Sequence, residues 1–248
     1  MKTLFSSRQY RIFLSLLAVF SLVCTQIPLF NYLGFEFSAL LALVASLLAG
    51  IFVIGEWGRT DGLIAPLHFF VPVGAGILLL LVPPLMIMLL NALLVKNCSL
   101  IQGFILFLLL PVPAVLFSGS IALLLSVLFK RFRKTWFIIA GVLILAQIAI
   151  MTLGTPQIFA FNPLIGFFPG VTYDESLDVL GRLAEYRLTT LVAAALALLV
   201  GGAVFRWRSK PESRFSLKKS EQWVGTIGLL CLAAAWFFNN ELGFSSSE

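Results

Sequence analysis

The sequence predicts an all-α fold, a polytopic membrane helix bundle of seven transmembrane helices with its N-terminus inside and its C-terminus outside. Three observations predict it. Hydrophobic residues make up 60% of the 248 and charged residues only 11%, whereas roughly a quarter of a soluble domain is charged. Apolar runs of 17 to 30 residues recur along the chain, and about 20 such residues cross a bilayer as a helix. They are continuously apolar, unlike the alternating segments of a membrane β-barrel. Basic residues, finally, gather in every second loop.

The spans are expected at 12–30, 37–54, 67–95, 100–129, 135–153, 188–205 and 222–238, in one transmembrane domain covering 1–248. The first run is too long for the 7–15-residue core of a signal peptide and reads as an uncleaved span. In the second, Ser38, Ala42, Ser46 and Gly50 recur every fourth residue. Such a stripe lets another helix approach closely, from this chain or from a second copy, so a homodimer is one expected partner. The third run, Leu67 to Val95, is 29 residues long. Straight, it would measure about 44 Å against a hydrocarbon core of about 30 Å. Pro83 and Pro84 interrupt it, and Pro111 and Pro113 interrupt the fourth. Proline removes a backbone donor and kinks a helix, so both spans should be bent or broken. Asn91 and Gln147 are the polar residues deep in spans.

Orientation follows from counting. One set of loops holds Lys2, Arg8, Arg11, Arg59, the basic run Lys130 to Lys134, and Arg206 to Lys219, which is 14 of the 17 Lys and Arg residues. Positive loops stay cytoplasmic, which points to the cytoplasmic membrane of a bacterium. The net charge of +6 therefore sets topology, and nucleic acid is not an expected partner.

The long segment 155–187 then faces outward with Asp174, Glu175, Asp178 and Glu185. Its first half is apolar yet broken by Pro156, Pro163, Gly166, Pro169 and Gly170, the pattern of a re-entrant or interfacial piece. Thr172 and Glu175 have capping-box spacing. From Tyr173, the positions Leu177, Leu180 and Ala184 form one apolar face, with Asp174, Asp178, Arg182 and Glu185 opposite, so a short amphipathic helix is expected on the outer surface.

No catalytic chemistry assembles from these residues. Cys24, Cys98 and Cys231 form no CxxC pair, and His68 is the lone histidine. Neither a metal nor a cofactor is expected. There is no phosphate loop of the GxxxxGK[ST] type, so the chain does not hydrolyse ATP itself. No serine or cysteine has a base partner, and the chain is not expected to be an enzyme.

The order of elements over roughly residues 1–206 resembles a permease of the type-two exporter class of ABC transporters. The run Glu56 to Pro66 contains an R-T-D-x-L-x-x-P pattern similar to the element such permeases carry between spans two and three. The run LLLPVPAVLFSGSIALLLSVLFKR, Leu108 to Arg131, resembles their fourth span. The resemblance implies a separate ATPase subunit docking at Glu56, Arg59 and Asp61. It also implies an outer gate of re-entrant helices between spans five and six, here Asn162, Pro163, Gly166, Pro169, Gly170, Tyr173, Asp174, Glu175 and Asp178. The seventh span departs from the six of that class. The run Asn162 to Glu175 also resembles bacterial membrane proteins whose seven-span part precedes an extracytoplasmic metallopeptidase-like domain. No HExxH zinc motif occurs here, and the tail ELGFSSSE reads as a lead into such an outer domain. Two functions are therefore expected: a permease subunit in the lipid bilayer driven by a separate ATPase, or a non-transporting membrane anchor or scaffold for an outer domain or partner.

Overall fold

The computed structural model describes residues 7–60, 64–95, 99–154, 157–169, 179–209 and 245–247. The first helix, α1 (Arg8–Cys24), is capped by Ser7, whose hydroxyl accepts from the Tyr10 amide at 3.1 Å. It ends six residues before the expected limit at Phe30, and Thr25 to Phe30 run as turns. Pro28 disfavours helical geometry in the residue before it. α2 (Phe35–Gly58) follows without interruption.

The next two apolar runs are broken, and proline marks each break. α3 (Pro66–Leu79) gives way to α4 (Val82–Asn91) just before Pro83 and Pro84. α5 (Leu100–Leu109) gives way to α6 (Pro111–Leu128). Proline suits the first turn of a helix, where its missing N–H has no partner to lose, so each run restarts there rather than bending smoothly. α7 (Arg133–Gly154) and α8 (Val179–Ser209) complete the described helices.

Taking each broken pair as one pass, the described residues form six helical passes that alternate in direction. The side chain of Gln9 donates to the carbonyl of Ile51 at 3.4 Å, setting the start of α1 beside the end of α2. Asn91, closing α4, donates to the carbonyl of Asn31, just ahead of α2. α6 lies at the centre, packed chiefly on α2 and α8 and also touching α3, α5 and α7. Four of the described passes are long and apolar enough to cross a membrane: Phe35–Gly58, Pro66–Asn91, Leu100–Leu128 and Gly181–Arg208. The chain thus has the character of a multi-pass integral membrane protein. The expected first and fifth spans fall on α1 and α7, and the expected seventh, 222–238, lies outside the described residues.

The expectation of a purely helical chain is corrected in the segment 155–187. Its described first part is a hairpin of β1 (Gln157–Asn162) and β2 (Gly166–Pro169), with Asn162 opposite Gly166. A third strand, β3 (Ser245–Ser247), pairs antiparallel with the other edge of β1, giving the order β2-β1-β3. A re-entrant helix is therefore not what residues 157–169 form. Phe159, Phe161, Phe167 and Phe168 are strand-favouring residues, and Pro163 and Gly166 close the turn between them. The separate amphipathic helix is corrected too. From Val179 the chain is helical without a break through Leu188 to Ser209, so that residues 179–187 are the first turns of α8, while 173–178 lie outside the described residues. Ala184, expected on the packed face, is exposed, while Leu183, Arg187 and Thr190 are buried.

Candidate functional site

The turn of the hairpin organises one end of the bundle. Asn162 is fully buried, and its Oδ1 accepts from the amides of Leu164 at 2.9 Å and Ile165 at 3.4 Å. This is the Asx geometry that makes asparagine a turn residue. Its Nδ2 donates to the carbonyl of Ile144 at 2.9 Å, fastening the turn to α7. The carbonyl of Pro163 accepts from Nη1 of Arg187 at 2.8 Å, which fastens the same turn to α8. Gly166 has φ +102°, a conformation that glycine adopts without strain. A Cβ there would overlap both the Arg187 guanidinium and the side chain of Leu110.

Leu110 lies in the break between α5 and α6, and it packs with Ala39, Ala42, Ala114, Phe161 and Leu183. Phe161 also stacks on Tyr186 with ring centroids 5.2 Å apart. One apolar cluster thus joins the hairpin, the broken pass and the starts of α2, α6 and α8. Arg187 sits against it with 1% of its surface exposed, and its Nε and Nη2 have no hydrogen-bond partner among the described residues. A buried cation with unmet donors is strongly disfavoured, by several kcal/mol. Of the residues expected to form the outer gate, Asn162, Pro163 and Gly166 meet here. Pro169 ends β2, and Gly170, Tyr173, Asp174, Glu175 and Asp178 lie outside the described residues.

Arg187 is not among the residues expected to form the site, and the structure adds it. The available signal was spacing: Arg187 falls seven residues after Leu180 and four after Leu183, on their face of the helix, and an ionisable residue on the packed face of a span marks a functional position by default.

At the opposite end, Glu56 and Arg59 form an ion pair one turn apart, with Arg59 55% exposed and Glu56 13%. Asp61 lies outside the described residues. Thr60 donates from its hydroxyl to the carbonyl of Trp57 at 2.8 Å. Trp57 is buried directly behind the pair. Its ring meets Phe69 of α3 edge-on at 5.0 Å and Phe205 of α8 at 6.0 Å. Arg208 donates to the carbonyls of Val127 and Leu128, capping the end of α6 with a charge from α8. The ends of α2, α3, α6 and α8 are therefore cross-linked behind an exposed charged turn.

The small-residue stripe is occupied within the chain. Ser38, Ala42, Ser46 and Gly50 are all buried. Ser118 of α6 donates to the carbonyl of Ser46 at 2.6 Å, and the Phe137 ring of α7 lies against Gly50 so closely that a Cβ there would overlap it. Small residues allow this backbone approach, and the face they line is filled by α6 and α7 rather than left for a second copy.

No protein-family model, curated protein or solved structure matches this chain.

Proposed function

We propose that the chain is a multi-pass permease subunit of an ABC-type exporter, driven by an ATPase on a separate chain. The ATPase docks on the turn at Glu56, Arg59 and Asp61, and the assembly of Asn162, Pro163, Gly166 and Arg187 is the outer gate. In this reading the basic end of the bundle is cytoplasmic, seven spans cross a bacterial cytoplasmic membrane, and the chain has no catalytic role. The observation that carries it is Trp57. Its ring contacts both α3 and α8 directly behind the exposed ion pair, so a push on the turn reaches two further helices through packed aromatic rings. α8 in turn runs to Arg187 at the other end. The test is purification of the tagged protein from its native membrane in mild detergent. An ATPase chain should accompany it in stoichiometric amount and be lost from an Arg59→Ala, Asp61→Ala variant.

One observation favours a second reading, a membrane scaffold for an extracytoplasmic domain or partner. β3 adds its backbone to the edge of the outer hairpin, which brings residues 245–247 onto the face where such a partner would sit. In that case the same purification yields an extracytoplasmic protein and no ATPase.

A further inference from the structure

A cleft of about 240 Å³ opens between the first turn of α3 and the last turns of α8. Leu67, Leu198, Leu199 and Phe205 make its walls. His68 and Arg206, both exposed, stand at its rim. Gly202 lines it as well, and a Cβ at that position meets nothing within 4 Å among the described residues. Glycine inside a helix is less favourable than alanine by about 1 kcal/mol. Here no tight helix contact and no unusual backbone angle calls for it, and its effect is to leave the cleft open.

We propose that this cleft binds a phospholipid with an anionic headgroup. The volume is below the roughly 300–1,000 Å³ of sites that enclose a whole drug-sized ligand. It suits part of a molecule whose remainder lies in the bilayer, such as the upper segment of one acyl chain. Apolar walls with positive charge at one rim match that chemistry along its length. Arg206 supplies charge and a fork of donors for phosphate oxygens, and the His68 imidazole offers a further N–H. The position fits as well, because Arg206 and Arg208 mark the end of a helix apolar enough to cross the membrane, and basic residues at such ends attract anionic headgroups. Phe205 forms a wall of the cleft and also touches Trp57, so the bound lipid braces the ring that backs the Glu56–Arg59 turn.

The test uses the full chain in a neutral detergent, titrated with phosphatidylglycerol and followed by native mass spectrometry. Phosphatidylcholine of the same acyl chains and inorganic phosphate serve as separate arms. One phosphatidylglycerol should bind in preference to phosphatidylcholine, and inorganic phosphate should not displace it. Arg206→Gln should weaken it about fivefold, the weight of one basic residue at a membrane surface. Gly202→Leu fills the cleft with a better helix former and should abolish the preference, while thermal melting reports that the fold persists. Equal binding of the two lipids, unchanged binding in Gly202→Leu, or displacement by phosphate alone would overturn the proposal.

Discussion

Arg187 reaches from α8 to the carbonyl oxygen of Pro163 at 2.8 Å, and this hydrogen bond joins a buried guanidinium to the turn of the β1–β2 hairpin. Its other two donor nitrogens have no partner among the described residues. The bond is thus one favourable contact set against a much larger desolvation penalty, and the balance makes a prediction. Removing the charge in Arg187→Met leaves the Pro163 carbonyl without its donor, a loss of about 1–3 kcal/mol. It also relieves the burial of an uncompensated charge, which is worth several kcal/mol. Thermal melting in detergent should show Arg187→Met at least as stable as the native protein and Arg187→Lys less stable. A clear fall in the Met variant would mean that the guanidinium is compensated after all.

Gly166 sets the space for that side chain. Gly166→Ala forces a left-handed backbone angle on a residue with a Cβ, for about 1–3 kcal/mol of strain, and it displaces the guanidinium besides. The substitution should lower the melting temperature and speed proteolysis between β1 and β2. Gly202→Ala is the control, since its Cβ meets nothing. It should be neutral, or stabilising by up to about 1 kcal/mol.

Trp57 ties the charged turn to the bundle. Trp57→Ala empties a site packed by two aromatic rings and should destabilise by about 3–5 kcal/mol. Trp57→Phe keeps much of the ring contact and should lose less than about 2 kcal/mol. Denaturation of both variants checks the order, and an Ala variant as stable as the Phe variant would remove Trp57 from the account.

The parts of this architecture that were legible in the sequence depend on local chemistry. Proline cannot donate to the helix ladder, so the positions of Pro83, Pro84 and Pro111 gave away both breaks. Ser46 and Gly50 are small at helical spacing, and their burial against α6 and α7 follows from that. The hairpin was not legible in the same way. Phe159 to Phe168 is apolar enough for a membrane piece, and what makes it a strand pair is the turn at Asn162 together with the edge offered by residues 245–247, far away in the chain. The place of Arg187 was only half legible. Its spacing puts it on the face of Leu180 and Leu183, away from Arg182 and Glu185, but that the turn at Pro163 covers this face comes from residues two dozen positions earlier. The pairing of Trp57 with Phe205 spans most of the chain, and no local pattern announces it.

Docking of an ATPase on the Glu56–Arg59 turn is the proposal on which the exporter reading stands. It is tested most directly by purifying the native protein and an Arg59→Ala, Asp61→Ala variant side by side in mild detergent. The co-purifying chains are then identified and counted by mass spectrometry. A stoichiometric ATPase should accompany the native protein and be lost from a variant that is still folded. A native preparation free of any ATPase, or one whose ATPase stays bound to the variant, would contradict it.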